Sequence, residues 1–178
     1  KLTSLFKPFY RLSFLASATQ CGLLSGLNQT SCNLEEIGTL IAPDFDPALT
    51  PSLLAWLDLG VELGILGQRQ EHYYLKSLLA RKLALLNHDD VAALSQEVAG
   101  LHHRLIMNVP QKLRRGESWT MADQDGAIIA RSSKIMSPFV FQIIDWALPR
   151  APNLRLLEIG CGSGIYLKYA GQVNPSLS

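Results

Sequence analysis

Apolar residues at Leu12, Leu15, Ala16, Leu23, Leu24 and Leu27 recur at helical spacing and predict a first helix, broken by Gly26 and Asn28. Asn33, followed by Glu35 and Glu36, predicts a second, short helix. The Asn side chain can accept a first-turn N–H, acidic residues favour the positive end of the helix dipole, and Pro43 ends the run. A third helix is expected from Thr50, with its hydroxyl as cap and Pro51 in the first position, running through Leu53, Leu54, Leu57 and Val61. The period then shortens. Leu63-Gly64-Ile65-Leu66 and His72-Tyr73-Tyr74-Leu75 flank the turn-rich segment Gly67 to Glu71 and read as two strands of a hairpin.

From Asp89, the residues Val91, Leu94, Val98, Leu101 and Leu105 alternate in steps of three and four, the seam of a long packed helix. Pro110 should bend or end it, and Gly116 is the expected stop for the turn that follows. Another helix fits Pro138 to Leu148, with Phe139, Ile143, Ile144 and Ala147 on one side, before a linker at Pro149 and Pro152. After it, Leu154 to Ile159 reads as an apolar strand, Gly160 to Gly164 as a glycine-rich turn, and Ile165 to Ala170 as a helix.

Charge and composition narrow the partners. The 178 residues carry 16 Lys plus Arg against 15 Asp plus Glu, a formal net charge of +1, so there is no cationic excess for phosphate binding. The third helix contains Asp58 and Glu62 and neither Lys nor Arg, and the hairpin loop offers only Arg69 beside Glu71, which argues against nucleic acid. Cys21, Cys32 and Cys161 are too widely spaced for a zinc site and fit reduced thiols in a cytoplasmic protein. The apolar stretch Leu53 to Leu66 is interrupted by charge, so no membrane is expected. The basic start with Ala16-Ser17-Ala18 has too short an apolar region for a signal peptide.

Strand, glycine turn and helix form the opening unit of a nucleotide-binding α/β fold: alternate glycines let the backbone turn sharply and approach a ligand, and the next helix offers free N–H groups. A dinucleotide site would place its third glycine where Ile165 stands, so NAD is disfavoured. The string Leu157-Glu158-Ile159-Gly160-Cys161-Gly162-Ser163-Gly164 resembles the first motif of class I S-adenosylmethionine-dependent methyltransferases. The order of helices, winged-helix-like unit, long helix and glycine motif is similar to that of small-molecule O-methyltransferases. The resemblance implies S-adenosyl-L-methionine as cofactor, with Glu158 organising its methionine end, Gly160, Gly162 and Gly164 forming the loop, and Cys161 and Ser163 contributing backbone.

The expected architecture is a winged-helix dimerisation-like region over residues 1–86, connecting helices over 87–150, and the first β-α unit of a Rossmann-like methyltransferase domain over 151–178. The resemblance implies methyl transfer to a small-molecule acceptor, by O-methylation, in a homodimer formed through the N-terminal helical region. A second reading is a non-catalytic winged-helix interaction module or transcription regulator carrying a truncated methyltransferase domain. The acid that would hold the cofactor ribose lies ~20 residues past the glycine turn, beyond Ser178, so the chain is expected to be a piece truncated after this motif and inactive by itself.

No catalytic residue and no metal site can be named. His102 and His103 are adjacent on a helix, point about 100° apart and cannot form a metal pair. Isolated His72 and His88 read as structural. Lys112, Arg114 and Arg115 fit a solvated basic helix end better than an anion site. Arg131, Ser132, Ser133 and Lys134 precede the helix leading into the glycine motif, a region that lies near the bound cofactor in the family it resembles; otherwise they read as a helix cap with exposed charge.

Overall fold

A computed structural model describes residues 2–148 and 152–177. The first apolar stripe folds as two helices, α1 (Thr3–Gln20) and α2 (Leu23–Gln29), and the break falls at Gly22, not at Gly26. Gly22 adopts φ 80°, which an L side chain resists, whereas Gly26 continues the helix against Leu40. Next, α3 (Leu34–Ile41) begins with a reciprocal cap: Glu36 N donates to Asn33 Oδ1 at 3.0 Å, and Asn33 N donates to Glu36 Oε2 at 2.8 Å.

Helix α4 (Thr50–Glu62) starts where expected, but Thr50 is not its cap. A 3-10 turn, Pro47–Leu49, leads directly into the helix, and Asp46 caps that turn by accepting from Ala48 N at 2.9 Å. Strands β1 (Leu66–Arg69) and β2 (His72–Leu75) pair antiparallel, with Leu66 opposite Leu75 and Arg69 opposite His72. The hairpin loop is therefore only Gln70-Glu71, shorter than the sequence implied, and Gly67 to Arg69 belong to the strand. Both loop residues have positive φ, 50° and 66°, the sense that matches the twist of a two-residue hairpin. Cys32 adds a bridge to Tyr73 on the other edge of β2.

Helices α1 to α4 and the hairpin enclose the main core. Phe14, Leu23, Leu24, Ile37, Leu57, Ile65, Leu66 and Tyr73 are completely or almost completely buried. Phe14 and Trp56 rings lie 5.0 Å apart across α1 and α4. Four helices precede the hairpin, one more than expected, because the first apolar stripe is split at Gly22. Helix α5 (Leu78–Leu83), not anticipated from sequence, is tied back to β2 by Arg81, whose Nε and Nη2 donate to Leu75 O at 3.0 and 2.9 Å.

The long helix is three segments in one rod: α6 (Asp89–Gln96), a π-helical stretch Glu97–His102, and α7 (His103–Arg115). Ala92, Ala93, Gln96 and Leu101 are its buried residues, while Val91, Leu94 and Val98 of the anticipated seam line an apolar groove with Leu12 and Leu15 of α1. Pro110 does not end α7; Gly116 does, at φ 65°, with Glu117 N donating to Lys112 O at 3.0 Å.

A second unanticipated helix, α8 (Gly126–Ser132), is capped by Asp125, which accepts from Ile128 N at 3.0 Å. A 3-10 turn, Ser133–Met136, separates it from α9 (Ser137–Ala147), and α10 (Ile165–Val173) packs on α9. The apolar face of α9 was misassigned. Phe139, Ile143 and Ala147 are exposed, and Val140, Phe141 and Ile144 turn towards α10. An 18-residue window within Gly126–Ala147 reaches a mean hydropathy of 1.2, yet the stretch is divided by the 3-10 turn and carries Arg131, Lys134 and Asp145.

The expected opening strand of a Rossmann-like sheet is not formed. Residues 154–159 carry no strand, and Leu157 and Ile159 are 83% and 91% exposed. An apolar run becomes a strand by ladder pairing, and among the described residues the sheet consists of β1 and β2 alone. The linker residues Pro149 to Ala151 lie outside the described residues.

Candidate functional site

Between residue 159 and α10 the backbone reverses through three left-handed residues: Gly160 at φ 75°, Gly162 at 51° and Gly164 at 69°. Any other L residue would meet a cost of roughly 1–2 kcal/mol at each position, so the alternating glycines follow from the path of the chain. Crowding is not the reason. A Cβ at Gly160 or Gly164 would meet nothing within 4 Å, and one at Gly162 only Gly160 O at 3.9 Å. The turn closes on itself through Gly164 N donating to Cys161 O at 2.8 Å, and it stands open to solvent with Cys161 and Ser163 exposed.

Gly164 also opens α10, where its carbonyl accepts from Lys168 N at 3.0 Å. No side chain caps this end among the described residues. The first-turn N–H groups of a helix lack intrahelical acceptors, so this end offers donors and partial positive charge.

Glu158 lies on the other side of the turn. Its Oε2 is buried and has no hydrogen-bond partner among the described residues. Such an orphaned acceptor is costly, and a donor or cation placed against it would recover that cost. The residue lines a cavity of about 200 Å³ with Val140 and Ile144 of α9, Leu156, Leu157, and Tyr166 and Leu167 of α10. An apolar recess with one carboxylate oxygen suits a small group that is cationic and otherwise greasy. Its volume is below the range of a complete ligand pocket, so it can hold one end of a larger molecule.

Aromatic contacts set the position of α10. Phe141 stacks on Tyr169 at 4.2 Å and meets the edge of Tyr166 at 6.0 Å. Tyr169 OH donates to both carboxylate oxygens of Asp145, at 2.9 and 3.0 Å, and this hydrogen bond holds the phenol pKa above its ordinary value. Tyr166 OH donates to Ser133 O at 3.4 Å. Ile144 belongs to the apolar face expected from sequence, whereas Val140 and Tyr166 do not figure there; for Tyr166 the available signal is the Tyr166, Tyr169, Ala170 and Val173 spacing, one face of a helix.

The other sequence-selected residues are occupied elsewhere. Arg131 grips Asp89, with Nε to Oδ2 at 3.0 Å, and donates to Gln96 Oε1 at 3.5 Å. That hydrogen bond lowers the Asp89 pKa and raises that of Arg131. Ser132 Oγ donates to the Glu97 carboxylate, whose other oxygen is 3.1 Å from His102 Nε2. Of the segment 131–134, Ser133 accepts a hydrogen bond from α10 through its carbonyl.

His103 lies against Phe9 at 5.5 Å, and His72 Nδ1 is 2.9 Å from Gln70 O. Lys112 is paired with Asp123 at 3.2 Å and sits over the Trp119 ring at 4.7 Å, so it is not free to receive an anion. The Asp123 pKa is lowered, first by the Thr120 N–H and then by Lys112. Among the described residues no cluster of His, Cys, Asp or Glu could hold a metal ion, and the three cysteines are free thiols.

No family model matches this chain, and no curated protein matches it. A solved structure described as PigF with SAH does, with a TM-score of 0.68 at 18% identity, covering 99% of this chain. The chain spans 56% of the length of that structure's chain. At this identity the likeness establishes a common fold.

Proposed function

We propose that this chain carries the helical region and the first cofactor-binding turn of a methyltransferase that uses S-adenosyl-L-methionine and methylates an oxygen of a small-molecule acceptor. The observation that carries the proposal is the unpartnered Glu158 carboxylate oxygen beside three left-handed glycines, within a fold shared with a structure that holds SAH. SAH is what S-adenosyl-L-methionine becomes after giving up its methyl group.

The residues present suit that cofactor's amino-acid end. Glu158 supplies the acceptor that an ammonium requires, and the first-turn N–H groups of α10 supply donors for a carboxylate. The glycines keep side chains away from the approach path. When bound, the cofactor contributes an electrophilic methyl on a sulfonium; the protein's part is to hold the acceptor in line with it and exclude water. No residue here is assigned as the base that would take the acceptor's proton.

In the same reading, residues 1–86 form a winged-helix-like dimerisation region of a cytoplasmic homodimer. The absence of Lys and Arg from α4 favours this role over DNA binding.

The test is a two-dimensional amide NMR titration with SAH. Millimolar binding, about 4 kcal/mol, is the expectation for one end of a site. Shifts should concentrate between Glu158 and Leu167 and disappear in Gly162→Leu. Unchanged spectra at several times that concentration would reject the cofactor assignment.

A further inference from the structure

The glycine turn is open on the side where a ligand would approach, so its own surroundings do not fix where it stands. Its location is inherited from α10, which begins at Gly164 and packs on α9. We propose that Phe141, Asp145 and Tyr169 are positioning residues, which touch no ligand themselves but set the placement of the glycine turn and thereby its affinity for S-adenosyl-L-methionine and SAH. The inference rests on the cofactor reading of the turn given above.

Three contacts act together. Phe141 stacks on Tyr169 at 27° between planes, its edge contact with Tyr166 engages the first turn of α10, and Asp145 accepts from Tyr169 with both oxygens. One residue on, Ala170 is fully buried, so there is little slack along this face. Tyr169 lies five residues past Gly164, about 7.5 Å along a helix axis. A swing of about 10° at Tyr169 would carry the turn roughly 1.3 Å, beyond the ~0.5 Å within which a binding constellation must be held. Tyr166 couples the same motion to the cavity beside Glu158, which it lines.

The experiment compares SAH affinity, from the amide titration, in the unaltered chain and in Phe141→Ala, Phe141→Leu, Phe141→Tyr and Tyr169→Phe. Melting curves and the amide spectra of α1 to α6 report whether each variant folds. Phe141→Ala and Phe141→Leu are expected to weaken SAH binding roughly 3- to 10-fold and to move the Gly160, Gly162 and Gly164 amides before ligand is added, with α1 to α6 unmoved. Phe141→Tyr, which keeps the stacked ring, should restore affinity. Tyr169→Phe, which keeps the ring and loses the Asp145 bond, should weaken it roughly 2- to 5-fold.

Phe141→Leu is the deciding variant where Phe141→Ala fails to fold, because it keeps most of the volume and removes only the stacking. Unaltered affinity in folded Phe141→Leu, with clear SAH shifts in the parent, overturns the positioning role alone. No SAH shifts in the parent overturns the cofactor reading and the positioning role together.

Discussion

Replacing the glycines of the turn separates conformational need from crowding. Each of Gly160, Gly162 and Gly164 has positive φ, and a methyl at each would meet no atom closer than 3.9 Å. Alanine there should therefore cost the left-handed penalty alone, roughly 1–2 kcal/mol. The cost falls on the docking of α10, which begins directly after the turn. Hydrogen exchange at the amides of Lys168, Tyr169 and Ala170 reads that docking equilibrium. One to two kcal/mol corresponds to about 5- to 30-fold faster exchange in each single alanine variant.

Gly171 provides the control. It lies inside α10 at ordinary helical φ with nothing within 4 Å of an added methyl, so Gly171→Ala should gain about 0.5–1 kcal/mol and slow exchange about 2- to 5-fold. If Gly162→Ala left exchange unchanged while Gly171→Ala slowed it, the left-handed assignment of the turn would be wrong.

Three further outcomes follow from the rest of the fold. Leu57 is fully buried between α4 and the core, and Leu57→Ala should lose about 2–5 kcal/mol in urea denaturation; a loss under about 1 kcal/mol would mean that the core is loosely packed. Glu71→Gly should stabilise the hairpin by about 0.5 kcal/mol, the relief of positive φ partly offset by the greater freedom of glycine in the unfolded chain, and a lower melting temperature would count against the two-residue turn. Because the Asp89 pKa is depressed by Arg131, the pair's stability is present above the unfolded carboxyl value of about 3.9 and is lost as pH falls through the folded value. Asp89→Asn should thus cost up to about 1 kcal/mol at pH 7, the pair being partly exposed, and almost nothing in strong acid; an equal gap at both pH values would refute it.

What the sequence announced is what neighbouring residues decide. The Asn33–Glu36 cap, the hairpin, the stop at Gly116 and the left-handed glycines each depend on a few consecutive positions. What it hid depends on partners far along the chain. The outward face of α9 follows from the side on which α10 arrives, and the grip of Arg131 on Asp89 spans 42 positions. Residues 154–159 had the composition of a strand, but composition does not supply a neighbour to pair with. Helices α5 and α8 are too short for a periodic signal and are fixed instead by Ser77 and Asp125 at their starts. In the candidate site, Glu158 and the glycines were legible as a motif and Ile144 as part of an apolar face, whereas Val140 and the packing of α9 beside Glu158 were not.

The π stretch at Glu97–His102 amounts to one surplus residue wound into an otherwise regular spiral. Excising a single residue there would let the rod wind as plain α-helix and leave everything beyond it on nearly the same bearing, because the wider turn already absorbs the extra residue. Ile106 and Leu113 would keep their bearing, whereas the same excision within α6 or early in α7 would turn everything beyond it by about 100°. In a lineage of such chains, one codon lost in these six positions would be absorbed where it occurs, leaving the C-terminal portion on its course and the rod seated against α1.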